Sequence, residues 1–266
     1  MNMYLHELKS LRKSTIIWTC AMIAIALLYL SLYPSIANDA ASFEKMMAGY
    51  PASVRAMLGV SINSISSILG FYSMIITFVV LCGAIQAMNL GLSILSKETR
   101  ERTADFLLVK PVSRTAIVNA KVLAALTMLL ATDASYYVVA SILASTVQQS
   151  GYSGKVFLMI NLTLLFIQLI FFAIGLVVSV FFDKLRSVLS VSLGTVFGLY
   201  IVGALIATGK DDASRFISPF RYFDYPSIIK NSSYEAPYLI AGAVIVLVSI
   251  ATSYLVYSRK DIHAVS

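Results

Sequence analysis

The chain has 266 residues, of which 59% are hydrophobic and only 12% are charged. A soluble domain carries roughly 25% charged residues, so this composition excludes a water-soluble globule, and its apolar content excludes a disordered chain. The formal net charge of +7 is typical of membrane proteins with basic cytoplasmic loops and does not by itself indicate a nucleic-acid partner.

Six apolar runs are long enough to cross a lipid bilayer. An α-helix rises about 1.5 Å per residue, so about 20 apolar residues span the hydrocarbon core. The runs do not alternate apolar and polar residues, as the strands of a membrane barrel do. We predict one all-α transmembrane domain over residues 1–266, with these spans: 16–33, 66–95, 122–147, 156–182, 188–208 and 238–257. A signal peptide is an alternative for the first run, but the run exceeds the roughly 7–15 apolar residues of such a peptide.

The segment before the first span, residues 1–13, has an amphipathic pattern. Leu5, Leu8 and Leu11 recur at helical spacing, with Glu7 and several basic residues between them. This pattern predicts a short helix that lies in the membrane interface. The alternative is a positively charged flank of the first span without fixed structure.

Small residues recur every four positions in two of the predicted spans. They are Gly83, Ala87 and Gly91 in the second span, and Gly194 and Gly198 in the fifth. Small residues let helix backbones approach closely, and in a membrane such packing replaces the hydrophobic drive between helices. We expect both faces to form helix contacts, either within the chain or at a seam between two copies.

Several polar side chains fall inside predicted spans, where they are costly unless they face protein or water. Gln86 and Asn89 lie in the second span, and Asn161 and Gln168 in the fourth. Asp133, in the third span, is the only acidic residue deep in a predicted span. Each of these residues either lines a transport path or ties helices together by hydrogen bonds. For Asp133 the functional interpretation is contact with a cation or a proton-transfer step.

The segment 97–121, between the second and third spans, is the most informative part of the sequence. It is dense in charges of both signs and contains an apolar group, Phe106–Leu108. Pro111 ends any helix, and Ser113 can cap the next one. A charged surface that carries an apolar knob is typical of a docking site for a soluble partner. The alternative is a solvated loop whose leucines touch the bilayer.

The segment 209–237, between the last two spans, is long, balanced in charge and rich in aromatic residues. The aromatic residues are Phe216, Phe220, Tyr222, Phe223, Tyr225 and Tyr234. We expect this segment to fold back into the outer leaflet, where it can gate the exit of a transported molecule. The alternative is a belt of aromatic residues at the membrane interface.

The distribution of basic residues predicts the orientation of the chain. If both termini are cytoplasmic, most of the 20 Lys and Arg residues fall in cytoplasmic segments. Membrane proteins show the same asymmetry. We therefore predict cytoplasmic N- and C-termini, which places the segment 97–121 inside the cell and the segment 209–237 outside.

The residues of the segment 97–121 resemble a motif of bacterial type-2 ABC permeases, the transmembrane subunits of ABC exporters. The motif runs E-x-x-x-G-T, then L-L-x-x-P-V-S-R, then a Lys at the next helix. The matching residues here are Glu98, Thr103, Leu107, Leu108, Pro111, Ser113, Arg114 and Lys121. Three further segments are similar to the same family: Tyr50–Gly59, Ile217–Tyr222 and Arg259–Ile262. Arg102 departs from the motif, because the family commonly has Gly there.

The resemblance implies a type-2 ABC exporter (ABCG-like) architecture in the bacterial plasma membrane. Such permeases pair, either with a second copy or with a paralogue, and each half docks a separate ATPase subunit that holds ATP and Mg²⁺. By resemblance, residues 1–13 are the elbow helix, and the second and fifth spans lie at the central seam. The ATPase-coupling residues are then Glu98, Thr103, Phe106, Leu107, Leu108, Pro111, Ser113 and Arg114.

The chain lacks the phosphate-binding loop of an ATPase. That loop requires G-x-x-x-x-G-K-[ST], whereas Gly91–Glu98 has Ser96 in place of the second glycine and Glu98 in place of the hydroxyl residue. The only histidines, His6 and His263, lie near the ends, so we predict no metal site, no cofactor in this chain and no enzyme activity. Transport is then powered by the partner ATPase.

These observations predict a permease subunit that forms the path for a hydrophobic or amphipathic substrate, such as a peptide, an antibiotic or a lipid-like molecule. The main alternative is an ion-coupled secondary carrier or a cation-extruding protein that uses Asp133. A non-transporting scaffold that signals through the segment 97–121 is a further alternative. An intramembrane hydrolase would need a positioned base or a second carboxylate beside Asp133, and the spans contain neither.

Overall fold

The computed structural model describes residues 3–60, 67–100, 114–148, 151–182, 187–209 and 212–259. Long helices make up most of these ranges. In chain order the helices are α1 (Met3–Asn38), α2 (Ala40–Ala48), α3 (Ala52–Met57), α4 (Ile68–Arg100), α5 (Arg114–Val147), α6 (Gly154–Phe181), α7 (Val188–Ile206), α8 (Tyr225–Asn231) and α9 (Ala236–Arg259). Two 3₁₀ turns, Asp212–Ile217 and Pro219–Arg221, lie between α7 and α8.

Six helices of the described residues are long and apolar enough to cross a membrane: α1, α4, α5, α6, α7 and α9. They coincide with the six predicted spans, so the prediction of an all-α protein with six spans is confirmed. Several helices extend past the predicted limits; α5, for example, begins at Arg114. Hydropathy marks the part of a helix that crosses the hydrocarbon, whereas backbone hydrogen bonding continues into polar sequence on either side.

The predicted elbow helix is not a separate element, and in this respect the prediction was wrong. α1 runs without a break from Met3 to Asn38, over 36 residues, which corresponds to about 54 Å of helix. The composition changes near residue 14, but no Gly or Pro stands between the amphipathic segment and the apolar run. A helix therefore has no local reason to end there.

α1 is tied to α5 by hydrogen bonds between side chains. The Tyr4 hydroxyl is 3.0 Å from Thr127 Oγ1, and Thr19 Oγ1 donates to Thr132 Oγ1 at 3.1 Å. The two helices also make extensive contact with each other.

α4 and α6 form the centre of the bundle. Within the apolar part of each helix, 72% of residues are buried in α4 and 61% in α6, against 28% in α7 and 11% in α9. α4 and α6 also make the most extensive contact between any two described helices. The outward apolar side chains of α9, such as Leu247 and Leu255, suit contact with lipid.

The connection between α1 and α4 contains two short helices that the sequence did not predict, α2 and α3. Pro51 precedes α3, and Gly59 follows it with a φ of 66°. A Cβ on Gly59 would overlap the side chain of Thr77 in α4. Only glycine satisfies both the left-handed backbone and this close approach.

Candidate coupling end, helix contacts and outer cavity

The segment 97–121, which is predicted to contact the ATPase, includes the end of α4 and the start of α5. Six of its predicted contact residues lie outside the described residues: Thr103, Phe106, Leu107, Leu108, Pro111 and Ser113. Glu98 falls in the last turn of α4, and Arg114 begins α5. Their assignment to ATPase coupling stays a prediction, but the structure describes the helices from which the segment extends.

A buried lysine joins three helices at this end. Lys121 Nζ donates to the Ile94 carbonyl oxygen of α4 at 2.6 Å and lies 3.9 Å from Glu7 Oε1 of α1. The side chains of Lys121 and Glu7 are 1% and 9% exposed. Burying a charged ammonium group costs free energy unless the group is paired and hydrogen-bonded. We call Glu7, Ile94 and Lys121 the coupling-end junction.

Sequence reasoning identified both charged residues of the junction but missed their pairing. Lys121 was recognised only as a motif residue, and Glu7 was placed on the polar side of the interfacial helix. The sequence does contain a signal for this pair. Glu7 is an acidic residue among basic residues before the first span, and Lys121 is a basic residue at the start of the third apolar run. Sequence spacing alone does not show that the two segments meet.

The leucines of the predicted elbow differ in their surroundings. Leu5 is 58% exposed, whereas Leu8 and Leu11 are half-buried and Leu11 packs against the core. Glu7 belongs to the coupling-end junction. The placement of residues 3–13 in the interface stays a prediction.

A hydrogen-bonded chain of polar side chains connects four helices inside the bundle. Thr19 of α1 bonds to Thr132 of α5, which accepts from Gln86 Nε2 of α4 at 3.2 Å. Gln168 Nε2 of α6 donates to Gln86 Oε1 at 3.3 Å. Gln86 and Gln168 are buried, so their side chains tie helices together here. For Gln86 the structure supports the hydrogen-bonding interpretation.

A second polar cluster lies between α4, α5 and α6. The Tyr72 hydroxyl donates to Asn161 Oδ1 at 2.8 Å and lies 3.1 Å from the Tyr136 hydroxyl. Asn161 Nδ2 donates to the Phe157 carbonyl oxygen of its own helix. This cluster also holds helices together. Asn89, the other polar residue singled out in the second span, is half-buried.

The small residues of the second span contact α6 of the same chain. A Cβ on Gly91 would overlap the Phe172 carbonyl oxygen and lie 3.0 Å from the Gly175 Cα. A Cβ on Gly83 would overlap the Leu164 side chain, and Ala87 is fully buried. Gly83 therefore packs within the chain, and the assignment of Gly83 and Ala87 to a seam between copies stays a prediction.

The small residues of the fifth span, by contrast, face open space. A Cβ on Gly194 or Gly198 would meet nothing within 4 Å. Phe197, Ile201 and Leu205 lie on the same face of α7, at helical spacing, and are exposed. We call Gly194, Phe197, Gly198, Ile201 and Leu205 the α7 stripe. Its role as a seam between two copies stays a prediction.

Asp133 lies on α5 with both carboxylate oxygens buried. Neither oxygen has a hydrogen-bond partner in the described part of the chain, and the same is true of Ser141 Oγ, two turns further along. Over the ranges that the structure describes, no three His, Cys, Asp or Glu side chains are grouped closely enough to hold a metal ion. The structure thus locates Asp133 without assigning it a role.

Residues 212–235, between α7 and α9, fold into a cap at one end of the bundle that includes α8. Arg215 forms two hydrogen bonds with the Glu235 carboxylate, at 2.9 and 3.0 Å, and its guanidinium lies 4.0 Å over the Tyr238 ring. Burial lowers the pKa of Arg215, but the Glu235 carboxylate more than offsets this, and the net shift is upward. The Phe220 ring packs at a tilt against Phe171 of α6 and edge-to-face against Tyr200 of α7, so the cap is anchored on the spans.

A cavity of about 280 Å³ lies beneath this cap, and sequence reasoning missed it. α3, α4, α6, α7 and the cap, of which α8 is a part, all contribute to its wall. Arg221 lines the cavity, and its Nε is buried without a hydrogen-bond partner among the described residues. Burial lowers the pKa of Arg221. A wall built from five separate parts of the chain has no contiguous sequence signal.

The comparison with known families identifies the fold. A sequence profile of the family described as ABC-2 family transporter protein matches residues 1–262. The chain belongs to this family. No curated protein and no solved structure matches the chain. The ABC-2 family match confirms the resemblance to type-2 ABC permeases that the motif in the segment 97–121 indicated.

As an ABC-2 family member, the chain is a multi-pass membrane permease of an ABC transporter. The family is the membrane transport component of such systems and is distinct from the ATPase. Membership implies an ABC ATPase as partner and is often accompanied by pairing of permeases. It also explains why six apolar helices account for most of the described chain.

Proposed function

We propose that this ABC-2 permease is the membrane subunit of an ATP-driven exporter for hydrophobic or amphipathic molecules. A separate ATPase subunit holds ATP and Mg²⁺ and docks on the segment around residues 98–114. The observation that supports this proposal most strongly is the coupling-end junction, in which Lys121 links α1, α4 and α5 where that segment leaves the bundle.

The coupling-end junction provides a physical route for coupling. A force on the segment around residues 98–114 acts first on the end of α4 and the start of α5. Because Lys121 bonds α5 to α4 and lies beside Glu7 of α1, the three helix ends move together rather than singly. α4 packs most extensively on α6, so the movement passes into the centre of the bundle.

The cargo and the second permease belong to the same proposal. The cavity beneath the cap combines aromatic and apolar side chains with charged ones, which supports a hydrophobic or amphipathic cargo, such as a peptide, an antibiotic or a lipid-like molecule. The α7 stripe supports pairing with a second copy or a paralogue, because its glycines leave room for another helix. In this arrangement both termini are cytoplasmic, and the cap faces outward.

The docking assignment can be tested by co-purification from native membranes. Leu107→Asp and Leu108→Asp place a charge where an apolar contact is proposed, so each variant should lose the ATPase subunit while still inserting into the membrane. Ile217→Asp is the matched control, because it makes the same change at an exposed apolar residue of the cap. Retention of the ATPase by both leucine variants would remove the assignment.

A second variant separates docking from coupling. Lys121→Met keeps the length of the side chain and removes the hydrogen bond to Ile94 and the contact with Glu7. We expect the ATPase to co-purify as before, while cargo-stimulated ATP hydrolysis falls, because α5 is no longer held to α4 and α1 at this end. Lys230→Met, on the exposed surface of α8, is the control. Normal stimulation in Lys121→Met would contradict the proposed route.

A second candidate function rests on Asp133, whose buried carboxylate oxygens lack partners in the described part of the chain. An ion-coupled carrier would use such a group to bind a cation or a proton. Vesicles that contain this chain without any ATPase distinguish the two functions. Uphill transport by the chain alone, and its loss in Asp133→Asn, would favour the carrier and overturn the exporter.

A further inference from the structure

The outer cavity lies at the end of the bundle opposite the coupling-end junction. Its wall includes Thr77 near the beginning of α4 and Gly203 near the end of α7, whereas the junction involves Ile94 near the end of α4. Along α4, Thr77 and Ile94 are about 25 Å apart. The cavity is therefore a separate site, distant from the proposed contact with the ATPase.

Most polar side chains of the cavity wall already have hydrogen-bond partners. Arg55 Nη1 donates to the Ala48 and Tyr50 carbonyl oxygens at 3.3 and 3.1 Å. Tyr200 donates to the Met57 carbonyl oxygen, and Asp224 Oδ2 accepts from the Ser227 N–H at 3.0 Å. Thr77 donates to the Ser73 carbonyl oxygen of its own helix. These groups are held in place and do not need a ligand.

Arg221 is the exception. Its Nε is buried and donates to nothing in the described part of the chain, although a buried donor without an acceptor is destabilising. The neighbouring Arg215 is already bound to Glu235, and the Asp224 carboxylate acts on Arg221 only as a nearby charge. Because Nε itself is closed off, an oxygen atom of a bound molecule would meet the terminal guanidinium nitrogens of Arg221, which lines the cavity.

The charge of the wall favours an anionic ligand. Two guanidinium groups, Arg55 and Arg221, and one carboxylate, Asp224, line the cavity, which leaves an excess of one positive charge. Guanidinium groups match the geometry of carboxylate and phosphate oxygens. The rest of the wall is largely apolar and aromatic, including Phe220, Phe223 and Tyr225. Such a surface suits the carbon atoms next to an anionic group.

The size of the cavity favours part of a molecule rather than a whole drug-sized ligand. Sites for such ligands occupy roughly 300–1,000 Å³. At about 280 Å³ the cavity can hold a head group and the first carbons of a chain.

We propose that the outer cavity binds the phosphate or carboxylate group of an anionic amphiphile, with Arg221 as its hydrogen-bonding partner and the aromatic wall against its first carbons. Binding at this site does not depend on the ATPase. We also assign the cavity an exit-station role, which means that it binds exported cargo just before release. This role rests on the proposed function and narrows the cargo to amphiphiles that carry a negative charge.

The test uses the full chain in nanodiscs of phosphatidylcholine, without ATPase. Octyl phosphate below its micelle concentration is the probe, and saturable binding is measured by the shift in thermal unfolding. Arg221→Gln should weaken binding about tenfold or more, because a charged hydrogen bond is lost. Lys230→Gln removes the same charge from an exposed site of α8 and should leave binding within about twofold of the unaltered chain, because water and salt screen exposed charges.

A second variant keeps the proposal falsifiable if Arg221→Gln does not fold. Ala207→Phe fills the cavity from α7, where Ala207 is half-buried, and leaves Arg221 in place. It should also abolish saturable binding of octyl phosphate. Unchanged binding in either folded variant overturns the proposal. Equal weakening by Lys230→Gln also overturns it, as does binding of neutral octyl glucoside with the same affinity as octyl phosphate.

Two sources of the anionic group are distinguished by the disc composition. If phosphatidylglycerol in the disc competes with octyl phosphate, the head group of a membrane lipid is the occupant, and the exit-station role is overturned. If phosphatidylglycerol does not compete, the occupant is an amphiphile other than the bulk lipid, as the exit-station role requires. No ATPase is present in this test, so its failure would not affect the co-purification result of Leu107→Asp. Likewise, failure of the co-purification test would not affect the binding of octyl phosphate.

Discussion

The α6-facing side of α4 and the α7 stripe have the same sequence pattern and opposite surroundings. In α4, Gly83, Ala87 and Gly91 recur every four residues and are covered by α6. In α7, Gly194 and Gly198 have the same spacing, and none of the residues that the structure describes lies against them. One set is part of the core of the chain, and the other is on its surface.

The difference shows what small-residue spacing does and does not specify. The spacing permits two backbones to approach closely, because no side chain stands between them. It does not specify which helix approaches. The residue of α6 that lies opposite Gly91 of α4 is Gly175, and a Cβ on either glycine would lie 3.0 Å from the Cα of the other. The α7 stripe has the same capacity for close contact and no described helix to use it.

The largest expected effect comes from adding a side chain to the side of α4 that packs against α6. Gly91→Val places a branched side chain against the Phe172 carbonyl oxygen and the Gly175 Cα, so α4 and α6 must separate. We expect a loss of about 3 kcal/mol or more in the free energy of unfolding, seen as a low yield of monodisperse protein and a reduced Tm.

Gly194→Val is the matched control, because the same change on α7 meets open space. Its effect on the Tm of the single chain should be small. An equal loss of stability in Gly194→Val and Gly91→Val would mean that the two faces do not differ.

The second prediction addresses the α7 stripe as a seam between copies. Gly198→Leu should leave the fold of each chain intact and weaken self-association about tenfold or more, because it prevents close approach of a second helix. Energy transfer between differently labelled copies in liposomes measures this association. Ala131→Leu adds the same bulk to an exposed position of α5 and should leave the association unchanged. Unchanged association in Gly198→Leu would exclude this stripe from the seam.

The smallest expected effect concerns the hydrogen-bonded side chains of Gln86, Thr132 and Gln168. Gln86→Leu removes the hydrogen bonds to Thr132 and Gln168, and we expect a loss of about 1 kcal/mol in the free energy of unfolding. A double-mutant cycle with Thr132→Val isolates the Gln86–Thr132 contact. Ser145→Ala, on the exposed face of α5, is the control. Zero coupling energy in the cycle would show that this contact does not stabilise the bundle.

Much of the fold was predictable because it depends on local properties of the sequence. The six spans follow from the length and hydropathy of each apolar run, and the structure places helices at all of them. The family was recognisable from short motifs such as Leu107–Leu108 and Pro111–Arg114, which the family match confirms. The separate elbow helix was wrong because a change in composition does not end a helix when no residue breaks its hydrogen bonding.

The sequence by itself determined how many times this chain crosses the membrane and to which family it belongs, since both follow from residues that are close together in the chain. Only the tertiary structure decided which glycines are covered, that Lys121 meets Glu7 and Ile94, and that Arg221 lines a cavity. Each of these features joins residues far apart in the sequence. Their contact depends on how the helices are rotated and tilted against one another, and in a bilayer an apolar helix surface leaves that choice to specific packing and hydrogen bonds.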